Sequence, residues 1–247
     1  MKLILSIIFS ISIFFSSCLY THKVETKGNY YKLDSTAIVD TSIVVDILPY
    51  KQKINGEMSV VIGQLENELI KEQPVSNMGN WAADAMSDWA NHKSHKIDFV
   101  VLNYGGLRLE SIGKGSLNKG KIFELMPFDN SLVIVTMKGS ELNDLFNHIL
   151  TKGGWPISKE LNINFSKIDN KLESKISGES VNPLKLYNIL TIDYLANGGD
   201  NCTFFKGKKS VELGILLRTA MIEQLEFQNK NGIKITAKKD DRILIKP

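Results

Sequence analysis

Three loop-like stretches hold the residues best suited to chemistry: NYGGLR (103–108), MPFDN (126–130) and DYLANGGD (193–200). In the first, Asn103 can both donate and accept hydrogen bonds. Gly105 and Gly106 allow positive φ and let a ligand come close to the backbone. Arg108 presents a fixed fork of donors matched to phosphate or carboxylate. In the second, Pro127 restricts the turn, Phe128 offers an aromatic face and Asn130 an amide. In the third, Tyr194 and Asp200 flank another glycine pair. Each stretch alone also reads as ordinary structure: a Gly-Gly turn, a core Phe128, a capping Asp200.

Other chemistries lack their signatures. The four histidines are His22, His92, His95 and His148. His92 and His95 form HKSH at a helix end with no supporting carboxylates, so they read as surface histidines. Hydrolytic metal centres need several Asp, His and Asn ligands converging on one or two ions. The chain has no HExxH, no GNH segment and no GxSxG elbow, and its glycine pairs lack the spacing of a dinucleotide loop or P-loop. The expected catalytic and metal-ligand sets are therefore empty. With 30 basic against 27 acidic residues, net charge +3, the chain lacks the strongly basic balance of a nucleic-acid binder, and no polymer partner is expected. Lysine runs such as FKGKKS (205–210) read as solvated surface.

The elements that must carry these loops follow from hydrophobic spacing. Residues 41–58 have helical spacing around Pro49. SVVIGQ (59–64) is strand-like. NMGNWAADAMSDWANH (77–92) places Met78, Trp81, Ala82, Ala85 and Trp89 on one helical face. IDFVVLN (97–103) is a short β-branched strand that runs straight into the first glycine pair. KIFELM (121–126) is a helical turn and SLVIVTMK (131–138) a strand. Residues 139–150 form a helix with Ser140 as N-cap. LNINF (161–165) and LYNILTI (186–192) are strands. Residues 210–228 read as one long helix capped by Ser210, and GIKIT (232–236) and RILIK (242–246) as closing strands. Some strands have only short connections, which permit antiparallel pairing. The predicted fold class is α+β, a mixed sheet with helices packed on it.

In this order and approximate spacing, the three motifs resemble the C-terminal, substrate-binding domain of the bacterial and animal 5′-nucleotidases, over roughly residues 40–247. The helix SNMGNWAADAM, the stretch GSELNDLF and the closing helix belong to the likeness. The resemblance implies that Phe128 and Tyr194 sandwich a base and that Asn103, Asn130 and Asp200 make polar contacts to base or ribose. It places Arg108 near the phosphate, beside the Gly105–Gly106 turn. Stacking on aromatic side chains tolerates different bases. Tyr194 stands where the family often has phenylalanine. Lys71 and Glu72 stand where relatives can carry arginines, and lysine replaces a common glycine in GGWPISKELNINF (153–165).

The N-terminus reads as export signal. MKLILSIIFSISIFFSSC has a basic start, an apolar run and small residues before Cys18. FSSC resembles a bacterial lipobox, which implies Cys18 as a lipidated first residue of the mature chain; a plain signal peptide is the other reading. Cys202 is the remaining cysteine, so no disulfide is expected. The predicted organisation is signal (1–18), tether (19–40) and 5′-nucleotidase C-terminal-like domain (41–247). The predicted location is an exported lipoprotein facing periplasm or cell exterior. In full enzymes of the family a metallophosphatase domain precedes this one and holds paired metal ions. Here signal and tether stand in that place. Divalent metals are thus expected only in a separate metallophosphatase partner, with no cofactor in this chain. Two roles follow: the specificity half of a split nucleotidase in nucleotide catabolism, or a non-catalytic nucleoside- or nucleotide-binding lipoprotein for capture or sensing.

Overall fold

The computed structural model describes residues 28–30 and 40–246. The expected signal, Cys18 and nearly all of the tether lie outside the described residues. By internal contacts the chain divides into Met1–Asp46 and Ile47–Pro247, and the site belongs to the second unit.

The fold is α+β. Its central sheet has the order β11 (Lys209–Leu216), β6 (Ser131–Lys138), β10 (Leu186–Ile192), β3 (Phe99–Val100). β6 runs antiparallel to both β10 and β11, and β10 runs parallel to β3. A second sheet has the order β12 (Ile243–Lys246), β7 (Leu161–Ser166), β8 (Lys171–Ile176), β9 (Glu179–Ser180). Two ribbons complete the strands: β1 (Val61–Leu65) with β5 (Gly115–Asn118), and β2 (Leu69–Ile70) with β4 (Ser111–Ile112). The helices are α1 (Thr41–Met58), α2 (Asn77–His92), α3 (Lys119–Leu125), α4 (Leu142–Thr151), α5 (Asp193–Ala196) and α6 (Leu217–Lys230).

α2 shows why the core forms. Ser76 caps it, its hydroxyl accepting the Gly79 N–H at 2.8 Å, which satisfies one of the first-turn donors left over by helix geometry. Met78, Trp81, Ala82, Ala85 and Trp89 are buried, and α2 packs against α6. Trp89 donates from Nε1 to Glu223 of α6 at 3.0 Å, so the ring is buried without leaving its N–H unpaired.

The structure corrects several sequence expectations. Residues 210–228 are not one helix: β11 runs to Leu216 and α6 starts at Leu217. Val211, Leu213 and Ile215 alternate along β11, while Gly214 takes φ 67 at a register break. Pairing with β6 overrides the helical reading, and Ser210 lies within the strand rather than at a cap. Ser140 caps nothing. It sits in a 3-10 turn, Gly139–Glu141, and the Glu141 carboxylate instead accepts the Lys138 N–H at 2.9 Å. The segment 97–103 is regular strand only at Phe99–Val100, followed by a single bridge from Val101 to Ile157. GIKIT likewise reduces to one bridge between Ile235 and Leu65. The hairpin β7–β8 had no expected second strand. KLESKI is exposed on alternate residues and too polar to stand out as a strand.

A buried cation ties the C-terminal segment and the chain at Ile157 to α2. Arg242 is 4% exposed. It bonds Asp84 of α2 at 2.9 Å, Asp240 at 2.7 Å and the Ile157 carbonyl at 2.7 Å. Burial raises the Asp84 carboxyl above the ordinary range despite the guanidinium. At Asp240 burial is outweighed by the Arg242 bonds, and that carboxyl lies below it. Truncating one partner of such a set leaves the others charged and uncompensated. Arg242→Met is expected to lose about 3 kcal/mol, read by urea unfolding. A loss within the ordinary surface range of about 0.5 kcal/mol would contradict this account.

Candidate functional site

Strand register brings the three sequence motifs together. β10 and β3 are parallel, with Leu190 opposite Val100. Both strands therefore release their C-terminal loops at the same sheet end, Asn103 from one and Tyr194 from the other. β6 is antiparallel, with Leu132 opposite Ile192. Its N-terminal entry, carrying Phe128 and Asn130, is at that end too. Ligands of open α/β sheets bind in such crevices beyond strand carboxyl ends.

All eight residues expected from sequence line one cleft of ≈ 320 Å³: Asn103, Gly105, Gly106, Arg108, Phe128, Asn130, Tyr194 and Asp200. Gly105 and Gly106 end a 3-10 turn, Tyr104–Gly106. A Cβ at Gly106 would stand 2.7 Å from Asn103 Oδ1, so the bare glycine lets the Asn103 amide fold beneath the turn. Arg108 is exposed. Its Nη1 donates to the Gly105 carbonyl at 3.3 Å, and its guanidinium lies 5.7 Å from the Phe128 ring centroid, a cation–π distance. Phe128 is 47% exposed and Tyr194 44%. Both rings are open to a ligand rather than part of the core.

The polar groups form a closed set. Asn103, 7% exposed, donates from Nδ2 to Asp200 Oδ2 at 2.7 Å. The Tyr194 hydroxyl donates to Asp200 Oδ1 at 2.9 Å and accepts the Asp200 N–H at 3.1 Å. Donating a hydrogen bond to that carboxylate holds the Tyr194 phenol above the ordinary tyrosine range. Asp200 itself takes the left-handed conformation, φ 50, ψ 25, which aspartate tolerates better than most residues. Gly199 is obligatory beside it: a Cβ there would meet the Tyr194 ring at 2.5 Å and the Tyr194 carbonyl at 2.6 Å.

One positioning residue escaped the sequence reading. Arg218, at the start of α6, donates to the Met126 carbonyl at 3.1 Å and the Phe128 carbonyl at 3.4 Å, and pairs with Asp129 at 2.6 Å. Its guanidinium also stacks on Phe123 at 4.3 Å. The Leu217 N–H donates to the Asn130 carbonyl at 2.8 Å. Together they pin the loop that presents Phe128. The signal was hidden because Arg218 fell inside the residues read as mid-helix.

The remaining candidates behave as structure. His92 is exposed and bonds Gln224, and its ring lies 4.4 Å from Phe227. His95 lies 5.5 Å from Trp89. Cys202 is buried, and burial pushes its thiol up to about 12, which leaves little nucleophilic thiolate. Among the described residues no group of three or more His, Cys, Asp or Glu could hold a metal ion. The described residues offer no ligand set for the metal pair that the family resemblance brings with it.

His148 lies beside Asp200, edge-on to Trp155 at 5.2 Å and Phe204 at 5.4 Å. Its Nε2 is buried without a partner. Burial, then the charge of Lys152, hold its pKa below the ordinary histidine value against the pull of Asp200. A histidine depressed by folding contributes stability above its unfolded pKa, about 6.5. That contribution is lost as pH falls through the folded value. Thermal melts between pH 7.5 and 5 are expected to fall more steeply for wild type than for His148→Gln; parallel curves would refute this. Gly199→Ala is expected to displace the Tyr194 ring and cost about 1–3 kcal/mol, read by urea unfolding, whereas a neutral effect would mean the loop yields freely.

Known proteins share part of this chain's sequence and its fold. The family model "5'-nucleotidase, C-terminal domain" matches residues 61–207, more than half of the chain. The chain is 30% identical over 174 residues to Protein UshA of Escherichia coli, covering 66% of this chain and 30% of that protein. It is 26% identical over 186 residues to a 5′-nucleotidase of Vibrio cholerae, covering 72% and 33%. It thus spans about a third of the length of these curated relatives. Among solved structures, a 5′-nucleotidase precursor from Thermus thermophilus superposes with TM-score 0.68 at 24% identity, covering 84% of this chain and 43% of that one, and so shares the fold. The chain belongs to the 5′-nucleotidase C-terminal domain family.

Proposed function

We propose that this chain binds a nucleoside 5′-phosphate and serves as the specificity half of a split nucleotidase in nucleotide catabolism. The observation that carries the reading is the single cleft shared by the two half-exposed rings, the closed Asn103–Asp200–Tyr194 set and Arg108. A base stacks between Phe128 and Tyr194, hydroxyls or ring nitrogens of the ligand meet Asn103, Asn130 and Asp200, and the phosphate lies toward Arg108 beside the Gly105–Gly106 turn. The phosphoester is cleaved by a separate metallophosphatase, which supplies the divalent metals and the activated water; this chain carries no cofactor. Relatives named 5′-nucleotidase support the substrate class.

A second reading is nucleotide capture or sensing by the same cleft without hydrolysis. Both readings place the chain outside the cytoplasm through lipid on Cys18. A relative named as a cell wall protein of Listeria monocytogenes, 25% identical over 247 residues, supports export. Among the described residues no helix is long and apolar enough to cross a membrane. Cys18→Ser is expected to move the protein out of the membrane fraction, and unchanged fractionation and maturation would refute the anchor.

Calorimetry with AMP and adenosine tests the cleft. Phe128→Ala is expected to weaken binding by about 1–3 kcal/mol, the usual stacking contribution. Its stability loss should stay below the roughly 3–5 kcal/mol typical of a buried phenylalanine. No binding by the intact protein, or a core-sized stability loss, would sink the clamp. Phosphate release from AMP then separates the two roles: it is expected only with the co-purified metallophosphatase, and Arg108→Ala should lower it.

A further inference from the structure

The nucleotide cleft does not end at its own walls. Tyr194 and Asn130 also line an adjoining cleft of ≈ 500 Å³, together with Asp193, Asn197 and the Gly198–Gly199 turn. Asp193 and Asn197 in turn line a third cleft of ≈ 340 Å³, which reaches Lys206 and Lys208. The three clefts adjoin through these shared lining residues, with Arg108 on the first and Lys206 and Lys208 on the third. A nucleoside held between Phe128 and Tyr194 fills only the first cleft.

Packing places Lys206 on the third cleft. Gly198 has φ 92, and a Cβ there would stand 2.3 Å from Lys206 Cε and 3.2 Å from its Nζ. The bare glycine lets the lysine stem lie along the loop while the ammonium stays in water. Two of the charged groups on that wall, Lys208 and Asp193, have bonds of their own. Lys208 bonds Glu141 at 2.5 Å, and Asp193 Oδ1 accepts the Tyr194 N–H at 2.7 Å. Among the described residues Lys206 makes no salt bridge. Glu212, on β11, is a further acid on the same wall. Lysine binds phosphate as a compact point charge and needs no bidentate geometry.

We infer that Lys206 forms a second anion subsite, and that the adjoining clefts take a nucleotide whose ribose carries another phosphate remote from the one at Arg108. This rests on the nucleotide reading of the first cleft. The test is isothermal titration of the purified protein with adenosine, AMP, ADP and adenosine 3′,5′-bisphosphate at low ionic strength. The bisphosphate is expected to bind about tenfold tighter than AMP, the scale of one partly screened charge-assisted contact. The gap should close as salt is raised. Lys206→Gln should abolish it while leaving adenosine and AMP unchanged, and Glu212→Gln should widen it. ADP, whose added charge lies at the Arg108 end, should be insensitive to Lys206→Gln. Equal affinity for AMP and the bisphosphate, or a gap that survives Lys206→Gln, overturns the subsite. Failure of all four ligands to bind overturns the nucleotide reading of the first cleft instead.

Discussion

The pairing of β10, parallel to β3 on one side and antiparallel to β6 on the other, is the constraint on which the site depends. Each partner contributes one loop, and only this combination of directions brings two strand exits and one strand entrance to a single sheet end. The register is held from both sides. Asp98 bonds the Asn188 N–H at 2.7 Å through its carboxylate, and its own N–H meets the Asn188 carbonyl at 2.8 Å. Thr136 bonds the Asn188 amide across the β6 side at 2.9 Å. A slip of one residue would turn buried Ile189 and Thr191 to the opposite face and carry Tyr194 away from Asn103. The fold thus fixes the cleft through pairings made well outside it.

Within the cleft, rigidity comes from polar groups satisfied by one another rather than from apolar burial. Asp200 receives bonds from Asn103 and Tyr194 while its own N–H is taken up by the Tyr194 hydroxyl. Phe128 has no such bond of its own. Its position is set through its backbone, by Arg218 and by the Leu217 N–H. A half-exposed ring can therefore be held still without being buried, which is the condition for a stacking surface that stays open. Preorganisation of this kind lowers the ordering cost of binding. The glycines fit the same logic: Gly106 makes room for an amide and Gly199 for a ring.

The parts of this arrangement legible in the sequence were those with strong local periodicity or motif chemistry. α2, β6 and β10 fall on the residues where hydrophobic spacing placed them, and the residues singled out from the three motifs meet in one cleft. What could not be read was set by tertiary partners. β11 looked helical because Leu213, Leu216 and Leu217 also satisfy a helical spacing, and only the free edge of β6 resolves the ambiguity. That error concealed Arg218. β8 was invisible because one face of its hairpin is solvated, leaving too few apolar residues to show a period. Asp84 lies 158 residues from Arg242, and no local pattern announces a triad that the fold completes by bringing Asp84 to Asp240 and Arg242.

The contrast between that triad and the cleft shows how charge is used differently in the two places. Arg242 is enclosed by two carboxylates and a carbonyl, so its charge is spent on holding α2 to the C-terminal segment. Arg108 is exposed, touches one carbonyl at the long limit of 3.3 Å and leans on an aromatic face. A cation so weakly engaged gives up little when an anion arrives, since neither its carbonyl bond nor its ring contact is strong in water. Arg218 lies between these extremes: its side chain is 11% exposed, yet it pairs with an Asp129 that is 77% exposed. Its energetic weight therefore rests on the two backbone carbonyls rather than on the ion pair, because exposed pairs contribute little. Of the three guanidiniums, one is committed to stability, one to the shape of the clamp loop, and only Arg108 remains available to a ligand in the cleft.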